Sequence, residues 1–173
     1  MTLLDLFKPI KLFVFDVDGV LTDGSILVVE SGNYPRKMSV KDGYALQLAI
    51  KKGYDIMVIS GSDAEAVITR MHKLGIQNVR MKTYNKLASL REYVASKGYQ
   101  IEEVLYMGDD IPDLEVMEYV GVSCCPADAV PEIKAVSKYI SPFKGGETCV
   151  RDVIEKVLKL NRHWQHIEDV ASR

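Results

Sequence analysis

The sequence predicts an α/β protein built on a doubly wound parallel sheet. Three observations predict this class. Short apolar runs recur along the 173 residues, amphipathic stretches of helical length lie between most of them, and Gly, Ser or Asp directly follows several runs. Strands that alternate with helices form a parallel sheet covered by helices on both faces. No change of composition and no linker divides the chain, so residues 1–173 are expected to form one domain.

The first strand and the segment after it come from two patterns. The apolar run at 12–15 predicts a buried strand. Farther along, the stretches 25–29 and 36–40 flank the sequence Ser31-Gly32-Asn33, which is typical of a turn. This pattern predicts a β-hairpin flap beside the sheet.

The remaining elements alternate from residue 42 onward. Asp42 is expected to cap the first helix, and Gly53, Gly75 and Gly98 are expected to end three helices. The polar tail 161–173 is expected to be loosely ordered or docked on a partner. The further predicted strands are 55–59, 78–81, 104–107, 121–125 and 138–140, and the predicted helices are 43–52, 64–74, 86–97, 112–119, 131–136 and 147–160.

Composition excludes several classes of protein. A net charge of −2 leaves no basic footprint for a nucleic acid. No apolar run approaches the roughly 20 residues of a membrane span, and the first residues lack the pattern of a signal peptide. The three cysteines fit neither a disulfide framework nor a zinc site, so they are interpreted as buried residues in a reducing compartment. A cytoplasmic protein is therefore expected.

Chemistry is expected where four apolar runs end. Asp16-Val17-Asp18-Gly19 follows the first strand, and Ser60-Gly61 follows the second. Asn85-Lys86 opens a helix, and Gly108-Asp109-Asp110 leads to Asp113 after a later strand. Ligands of parallel sheets bind beyond the carboxyl ends of the strands, so these residues are expected to meet in one pocket.

This ordered set resembles the haloacid dehalogenase superfamily of phosphotransferases, over residues 11–160. The resemblance implies that Asp16 is the nucleophile and that Asp18 is the general acid and base. Ser60 and Gly61 would bind the transferring phosphoryl oxygens, and Lys86 would place a positive charge on the phosphoryl group and on Asp16.

The same resemblance implies a Mg²⁺ site, since carboxylates can supply the oxygen ligands that this ion prefers. Asp16 and Asp109 would contribute carboxylates, and Asp18 would contribute its backbone carbonyl. Asp110 and Asp113 would act through metal-bound water or by positioning Lys86. In this superfamily an aspartate at position 18 favours hydrolysis of phosphate esters, so a phosphomonoesterase is expected.

The gaps between these motifs are too short for a cap domain, so the pocket is expected to need a cover from elsewhere. Segments 16–24, 34–44 (especially 40–44), 85–87, 108–113 and 145–146 are similar to the capless 3-deoxy-D-manno-octulosonate 8-phosphate phosphatases. That family makes the eight-carbon acid sugar of bacterial lipopolysaccharide. It is tetrameric, its hairpins form the assembly, and neighbouring subunits complete the active sites.

The resemblance implies a sugar-acid phosphate as substrate, with no nucleic acid or membrane as partner. Lys41 or Arg36 could bind the carboxylate of the sugar acid. Two alternatives stay open: a phosphatase of nine-carbon, sialic-acid-type 9-phosphates, and a catalytically idle oligomerisation domain. The four residues Asp16, Asp18, Lys86 and Asp109 argue against the idle domain.

Overall fold

A computed structural model describes residues 2–171. Its centre is one six-stranded sheet in the order β3-β2-β1-β4-β5-β6, and every neighbouring pair of strands is parallel. The strands are β1 (Leu12–Phe15), β2 (Asp55–Ile59), β3 (Asn78–Arg80), β4 (Val104–Met107), β5 (Val122–Cys125) and β6 (Tyr139–Ile140). The predicted fold class, an α/β doubly wound parallel sheet, is confirmed.

Helices cover both faces of this sheet. The strands alternate their side chains between the faces: Phe13 and Phe15 of β1 pack in one apolar cluster, and Leu12 and Val14 pack in the other. The helices are α1 (Leu3–Phe7), α2 (Val40–Lys51), α3 (Glu65–Lys73), α4 (Lys86–Lys97), α5 (Leu114–Tyr119), α6 (Pro131–Val136) and α7 (Cys149–Leu160). Helices α1, α2, α3 and α7 contribute to the first cluster, and α4, α5 and α6 contribute to the second.

The order of the strands fixes where a ligand can bind. After β1 the chain winds to one side through β2 and β3, and it then crosses to β4 on the other side of β1. The carboxyl ends of β1 and β4 therefore flank the topological switch point, where ligands of such sheets bind. Asp16 follows β1 directly, and Asp109 lies two residues beyond β4.

The predicted hairpin is wrong as a pair of regular strands. Residues 23–39, called the excursion below, are joined to the chain before them by one antiparallel bridge, Thr22 to Met38. Within the excursion, the backbone N–H of Leu27 donates to the carbonyl of Pro35 at 3.1 Å. Ile26, Leu27 and Val28 are 47%, 63% and 74% exposed. A two-stranded ribbon with no apolar surface beneath it is marginally stable, which explains the missing strands.

Helix α2 begins earlier than predicted, and Asp42 does not cap it. The hydroxyl of Ser39 accepts hydrogen bonds from the backbone N–H groups of Lys41 and Asp42, at 3.2 and 3.4 Å. The buried carboxylate of Asp42 instead accepts a 2.7 Å hydrogen bond from the backbone N–H of Arg151, in the first turn of α7. Asp42 therefore joins α2 to α7, because its side chain faces the neighbouring helix.

The tail, for which the sequence predicts loose order or docking on a partner, lies against its own chain up to residue 171. The side chain of Gln47 donates to the carbonyl of Ala171 at 2.8 Å, and the hydroxyl of Tyr44 lies 2.8 Å from Nδ1 of His166. Val170 is buried. Residues 172–173 lie outside the described part of the chain. Between residues 2 and 171, no helix has both the length and the apolar content that a membrane span requires.

Candidate active site

Asp16 lies at the carboxyl end of the central strand. Its backbone N–H donates to the carbonyl of Met107 at 3.1 Å, so the ends of β1 and β4 hold it from both sides. A tight turn over Val17–Leu21 follows and is closed by a hydrogen bond from Thr22 N–H to the carbonyl of Val17. Asp16 is 6% exposed, which makes it a buried carboxylate at a fixed position.

Lys86 bridges two buried carboxylates. Its ammonium group donates to Oδ1 of Asp16 at 2.8 Å and to Oδ1 of Asp113 at 2.7 Å. The first turn of α4 positions Lys86, and the side chain of Asn85 caps that helix by accepting from the N–H of Ala88. The cation is therefore in contact with Asp16 before any ligand binds.

Asp113 is the centre of a second set of hydrogen bonds. Its Oδ1 also accepts from the hydroxyl of Tyr106 at 2.5 Å, and its Oδ2 accepts from the backbone N–H of Asp109 at 3.1 Å. Asp113 is 1% exposed. It therefore fixes both Lys86 and the loop after β4. The sequence analysis missed Tyr106, because a tyrosine in an apolar strand is indistinguishable from a core residue.

Three carboxylates form a pocket that fits a divalent cation. One oxygen each from Asp16, Asp109 and Asp113 lies within 4.8 Å of the others. Oδ1 of Asp109 is buried and has no hydrogen-bond partner among the described residues. Because a buried carboxylate oxygen without a partner is costly, this donor set suits Mg²⁺, which binds few carboxylates and completes its shell with water.

The charge state of these acids depends on their surroundings. Burial, and then repulsion from Asp113, raise the pKa of Asp16 to about 7 despite the attraction of Lys86. Burial, and then repulsion from Asp16 and Asp113, raise the pKa of Asp109 to about 8. Burial alone would lower the pKa of Lys86, but the two carboxylates beside it outweigh that effect and the pKa is raised. Fully ionised, these carboxylates would carry more negative charge than Lys86 balances, so the cluster favours added protons or a cation.

Asp18 is not one of the three clustered carboxylates, and its side chain contacts the excursion. Its two carboxylate oxygens accept from Nε and Nη2 of Arg36, at 2.5 and 3.3 Å. Arg36 thus contacts a predicted catalytic residue as well as lining a cavity of about 650 Å³ between the excursion and the start of α3. That cavity could accept a sugar-sized group, and it meets the predicted site through Arg36.

The other predicted site residues occupy distinct places. Ser60 is buried at the end of β2, and its hydroxyl lies 2.9 Å from that of Ser62. Gly61 follows it in the same loop. Asp110 is exposed and accepts from the N–H of Ile111 at 2.8 Å, and Lys41 is exposed in the first turn of α2.

A second loop supports the turn after Asp16. A β-carbon at residue 145 would lie 2.0 Å from the carbonyl oxygen of Gly19, so only glycine allows this approach. The N–H of Gly146 donates to the carbonyl of Val20 at 3.0 Å. Gly19 has a φ of +91°, and a β-carbon there would lie 1.9 Å from Oδ2 of Asp109. The glycines therefore let three loops meet around the acid cluster.

Comparison with known proteins identifies the family. The haloacid dehalogenase-like hydrolase family matches residues 78–151. The chain is 36% identical over 149 residues to the 3-deoxy-D-manno-octulosonate 8-phosphate phosphatase KdsC of Yersinia pestis. The aligned residues cover 86% of this chain and 80% of that protein.

Solved structures agree. One is the 3-deoxy-D-manno-octulosonate 8-phosphate phosphatase of Moraxella catarrhalis in complex with magnesium ion, phosphate ion and a KDO molecule, with a TM-score of 0.88, 33% identity and coverage of 91% of each chain. Another is the cobalt-bound enzyme of Haemophilus influenzae, with a TM-score of 0.87, 27% identity and coverage of 91% of this chain and 92% of that one.

The strand order and the acids at the ends of β1 and β4 define a haloacid dehalogenase-like hydrolase. Within that class, the chain belongs to the family of 3-deoxy-D-manno-octulosonate 8-phosphate phosphatases. The predicted family is therefore confirmed, and so is the predicted enzyme class, a phosphoric monoester hydrolase.

Proposed function

We propose that this protein is a Mg²⁺-dependent phosphatase that hydrolyses 3-deoxy-D-manno-octulosonate 8-phosphate through an aspartyl-phosphate intermediate. The observation that carries the proposal is the contact of Asp16 with Lys86 beside the unpartnered oxygen of Asp109. A nucleophile, a cation and a set of oxygen atoms suited to a metal ion are thereby together at the switch point of the sheet. The relatives named above support the choice of substrate.

In the first step, a carboxylate oxygen of Asp16 attacks phosphorus, and the bond from phosphorus to the sugar oxygen breaks. Asp18 gives a proton to the departing sugar oxygen. Lys86, Ser60 and nearby backbone N–H groups offset the charge on the phosphoryl oxygens. In the second step, Asp18 accepts a proton from the water that attacks the aspartyl-phosphate, and phosphate leaves.

Asp16 and Asp109, with the backbone carbonyl of Asp18, would hold Mg²⁺. When bound, the ion screens the repulsion between the carboxylate nucleophile and the phosphate dianion. The tendency of the acid cluster to take up protons or a cation supports this assignment. The magnesium in the Moraxella structure also supports it.

The proposed setting is the cytoplasm, in the synthesis of the acid sugar of lipopolysaccharide. We also propose a homotetramer in which neighbouring subunits cover the active sites. The exposed apolar side chains of Ile26, Leu27 and Val28 support such an assembly, because a contiguous apolar patch favours burial against another surface.

The test is release of inorganic phosphate from 3-deoxy-D-manno-octulosonate 8-phosphate with and without Mg²⁺. We expect Mg²⁺-dependent turnover that falls by about 10⁶-fold in Asp16→Asn, the scale of removing a nucleophile. Glu92→Gln, at an exposed acid paired with Arg80, is the matched control and should keep full activity.

Two outcomes would replace the proposal. Faster release from a nine-carbon sugar-acid 9-phosphate would make that ester the substrate. Absence of release from every sugar phosphate would leave the idle oligomerisation domain as the better interpretation.

A further inference from the structure

The contact between Arg36 and Asp18 has the geometry of a clamp. Nε and Nη2 of the guanidinium each meet one oxygen of the same carboxylate, at 2.5 and 3.3 Å. A two-point contact of this kind fixes the plane of the carboxylate as well as its position. The Asp18 side chain is 32% exposed, so one side of it still faces solvent.

Arg36 is itself held in place. Its Nη1 donates to the carbonyl of Tyr34 at 2.9 Å, and its side chain is only 10% exposed. All three nitrogens of the guanidinium are therefore bonded, two to Asp18 and one to the excursion. The neighbouring Lys37 differs: its side chain is 82% exposed, and it meets Asp23 at 3.3 Å. Of these two neighbouring cations, Arg36 is therefore the one whose side chain is held in a fixed position.

The two proposed steps ask different things of Asp18. Leaving-group departure requires a protonated carboxyl, whereas attack by water requires an ionised, correctly oriented carboxylate. The two-point contact fixes both oxygens of Asp18 and leaves their outward lone pairs free to accept from water. The arrangement in the structure therefore suits the second step.

We propose that Arg36 is a positioning residue that orients Asp18 as the base for hydrolysis of the aspartyl-phosphate. The inference rests on the proposed function and deepens it. In the step concerned, a water O–H bond breaks and its proton goes to Asp18. The water oxygen bonds to phosphorus, and the electron pair of the phosphorus–oxygen bond returns to Asp16. Arg36 takes no proton and acts only through the carboxylate of Asp18, which it holds in place.

The test compares Arg36→Met, Arg36→Lys and the control Lys37→Met in rapid-quench kinetics with the sugar-acid phosphate. In Arg36→Met we expect kcat to fall about 10- to 100-fold, part of the 10²–10⁴ that a general base contributes. KM should fall with it, so that kcat/KM stays within about threefold, because kcat/KM reports steps up to formation of the intermediate. Lys37→Met should match the wild type.

Intact-protein mass spectrometry of quenched samples supplies a second readout. The fraction of Arg36→Met that carries one added phosphoryl group in the steady state should exceed that of the wild type. Release of the sugar should show a burst equal to the enzyme concentration. Arg36→Lys should recover part of kcat, since it keeps one charge but loses the two-point contact.

The outcomes separate the possible roles. A raised KM with unchanged kcat would make Arg36 a substrate-binding residue, as the sequence predicts, and would overturn the proposal. Equal falls in kcat and kcat/KM without accumulation of the intermediate would also overturn it. If Arg36→Met does not fold, Arg36→Lys decides by the same readouts. Failure of the proposed function is distinct, since the wild type would then release no phosphate.

Discussion

At the scale of single residues, Lys86 links the acids of the site into one network. It donates to two buried carboxylates, on Asp16 and Asp113, within 2.8 Å. Burying such a network costs several kcal/mol in desolvation, and the attraction inside it at best compensates. The network is therefore better understood as preparation for chemistry, because the cation is already in position when a phosphoryl group arrives.

The raised pKa values of Asp16 and Asp109 predict a link between pH, metal and stability. Their folded values of about 7 and 8 exceed the roughly 3.9 of an unfolded aspartate, so the folded state binds more protons above pH 4. In metal-free protein, this contribution to stability is full below about pH 4 and is lost as the pH rises toward 8. Mg²⁺ replaces those protons, so the rise in Tm that it causes should be larger at pH 8 than at pH 6.

Thermal unfolding with EDTA or with Mg²⁺, at several pH values, measures this difference. Subtracting the two curves removes groups remote from the metal, such as Asp42, whose pKa burial raises to about 6. Asp109→Asn should reduce the Mg²⁺ effect at every pH. A Mg²⁺ effect that does not change between pH 6 and 8 would contradict the assignment of these two carboxylates.

The location of the site at the strand ends could be predicted, because few residue types can carry out its chemistry. Acids beside a buried strand are costly without a cation, so the sequence alone indicates a site at Asp16, Asp18 and Asp109. The contacts of Arg36 and Tyr106 could not be predicted. Nothing in the sequence fixes the path of the excursion that brings Arg36 to Asp18, and a buried tyrosine hydroxyl reveals its partner only in three dimensions.

At the scale of elements, the site is formed by loops that contact one another. The turn after β1 lies between the loop after β4 and the glycines that precede α7, and Asp42 fixes the start of α7 from α2. Loops without regular structure thus gain a defined shape from one another and from the helices beside them.

This arrangement predicts the effect of Gly145→Ala. The added β-carbon would lie 2.0 Å from the carbonyl oxygen of Gly19, so the turn that carries Asp18 must move. We expect kcat/KM to fall about 100-fold, because small displacements of catalytic groups have effects of that size. Phosphate-release kinetics and circular dichroism of the folded variant are the measurements.

Gly53→Ala is the control for this prediction. Gly53 also has a positive φ, but a β-carbon there meets nothing within 4 Å. It should cost about 1–2 kcal/mol of stability and leave kcat/KM unchanged. If Gly145→Ala keeps wild-type kcat/KM, the loop before α7 does not support the active site.

Element boundaries followed the sequence where local rules decide them. Helix α4, with Asn85 before it and Gly98 after it, has the predicted bounds. Helix α1 was missed, because five residues are too few for a periodic pattern. The start of α2 was misplaced because Ser39 and Asp42 are both good capping residues, and only the position of α7 assigns Asp42 to another contact.

At the scale of the whole molecule, the excursion is the part whose apolar side chains the single chain does not bury. The apolar side chains of Ile26, Leu27 and Val28 are exposed, and other residues of the excursion line the 650 Å³ cavity. The double substitution Leu27→Asp with Val28→Asp should therefore dissociate the proposed tetramer, because charges replace the apolar surface that would be buried. Mass photometry measures the assembly, and phosphate release should fall with it.

Leu4→Asp, at a similarly exposed leucine in α1, is the matched control and should preserve both assembly and activity. Wild-type activity in a dissociated Leu27→Asp, Val28→Asp protein would show that each subunit closes its own site. A wild-type protein that is monomeric at assay concentration would contradict the tetramer directly.

Because β1 is central in the sheet and the excursion is not, the two parts of this site tolerate substitution to different extents. Because β1 is bonded to β2 and β4 along its length, we expect its amides to exchange only when the molecule unfolds globally. The Thr22–Met38 bridge and the Arg36–Asp18 ion pair hold the excursion to the chain before it. Substitutions elsewhere in the excursion therefore cost little folding free energy. Descendants of this chain can therefore acquire new substrates through substitutions in the excursion that spare Arg36 and the exposed apolar residues, while the phosphoryl-transfer chemistry at the end of β1 stays constant.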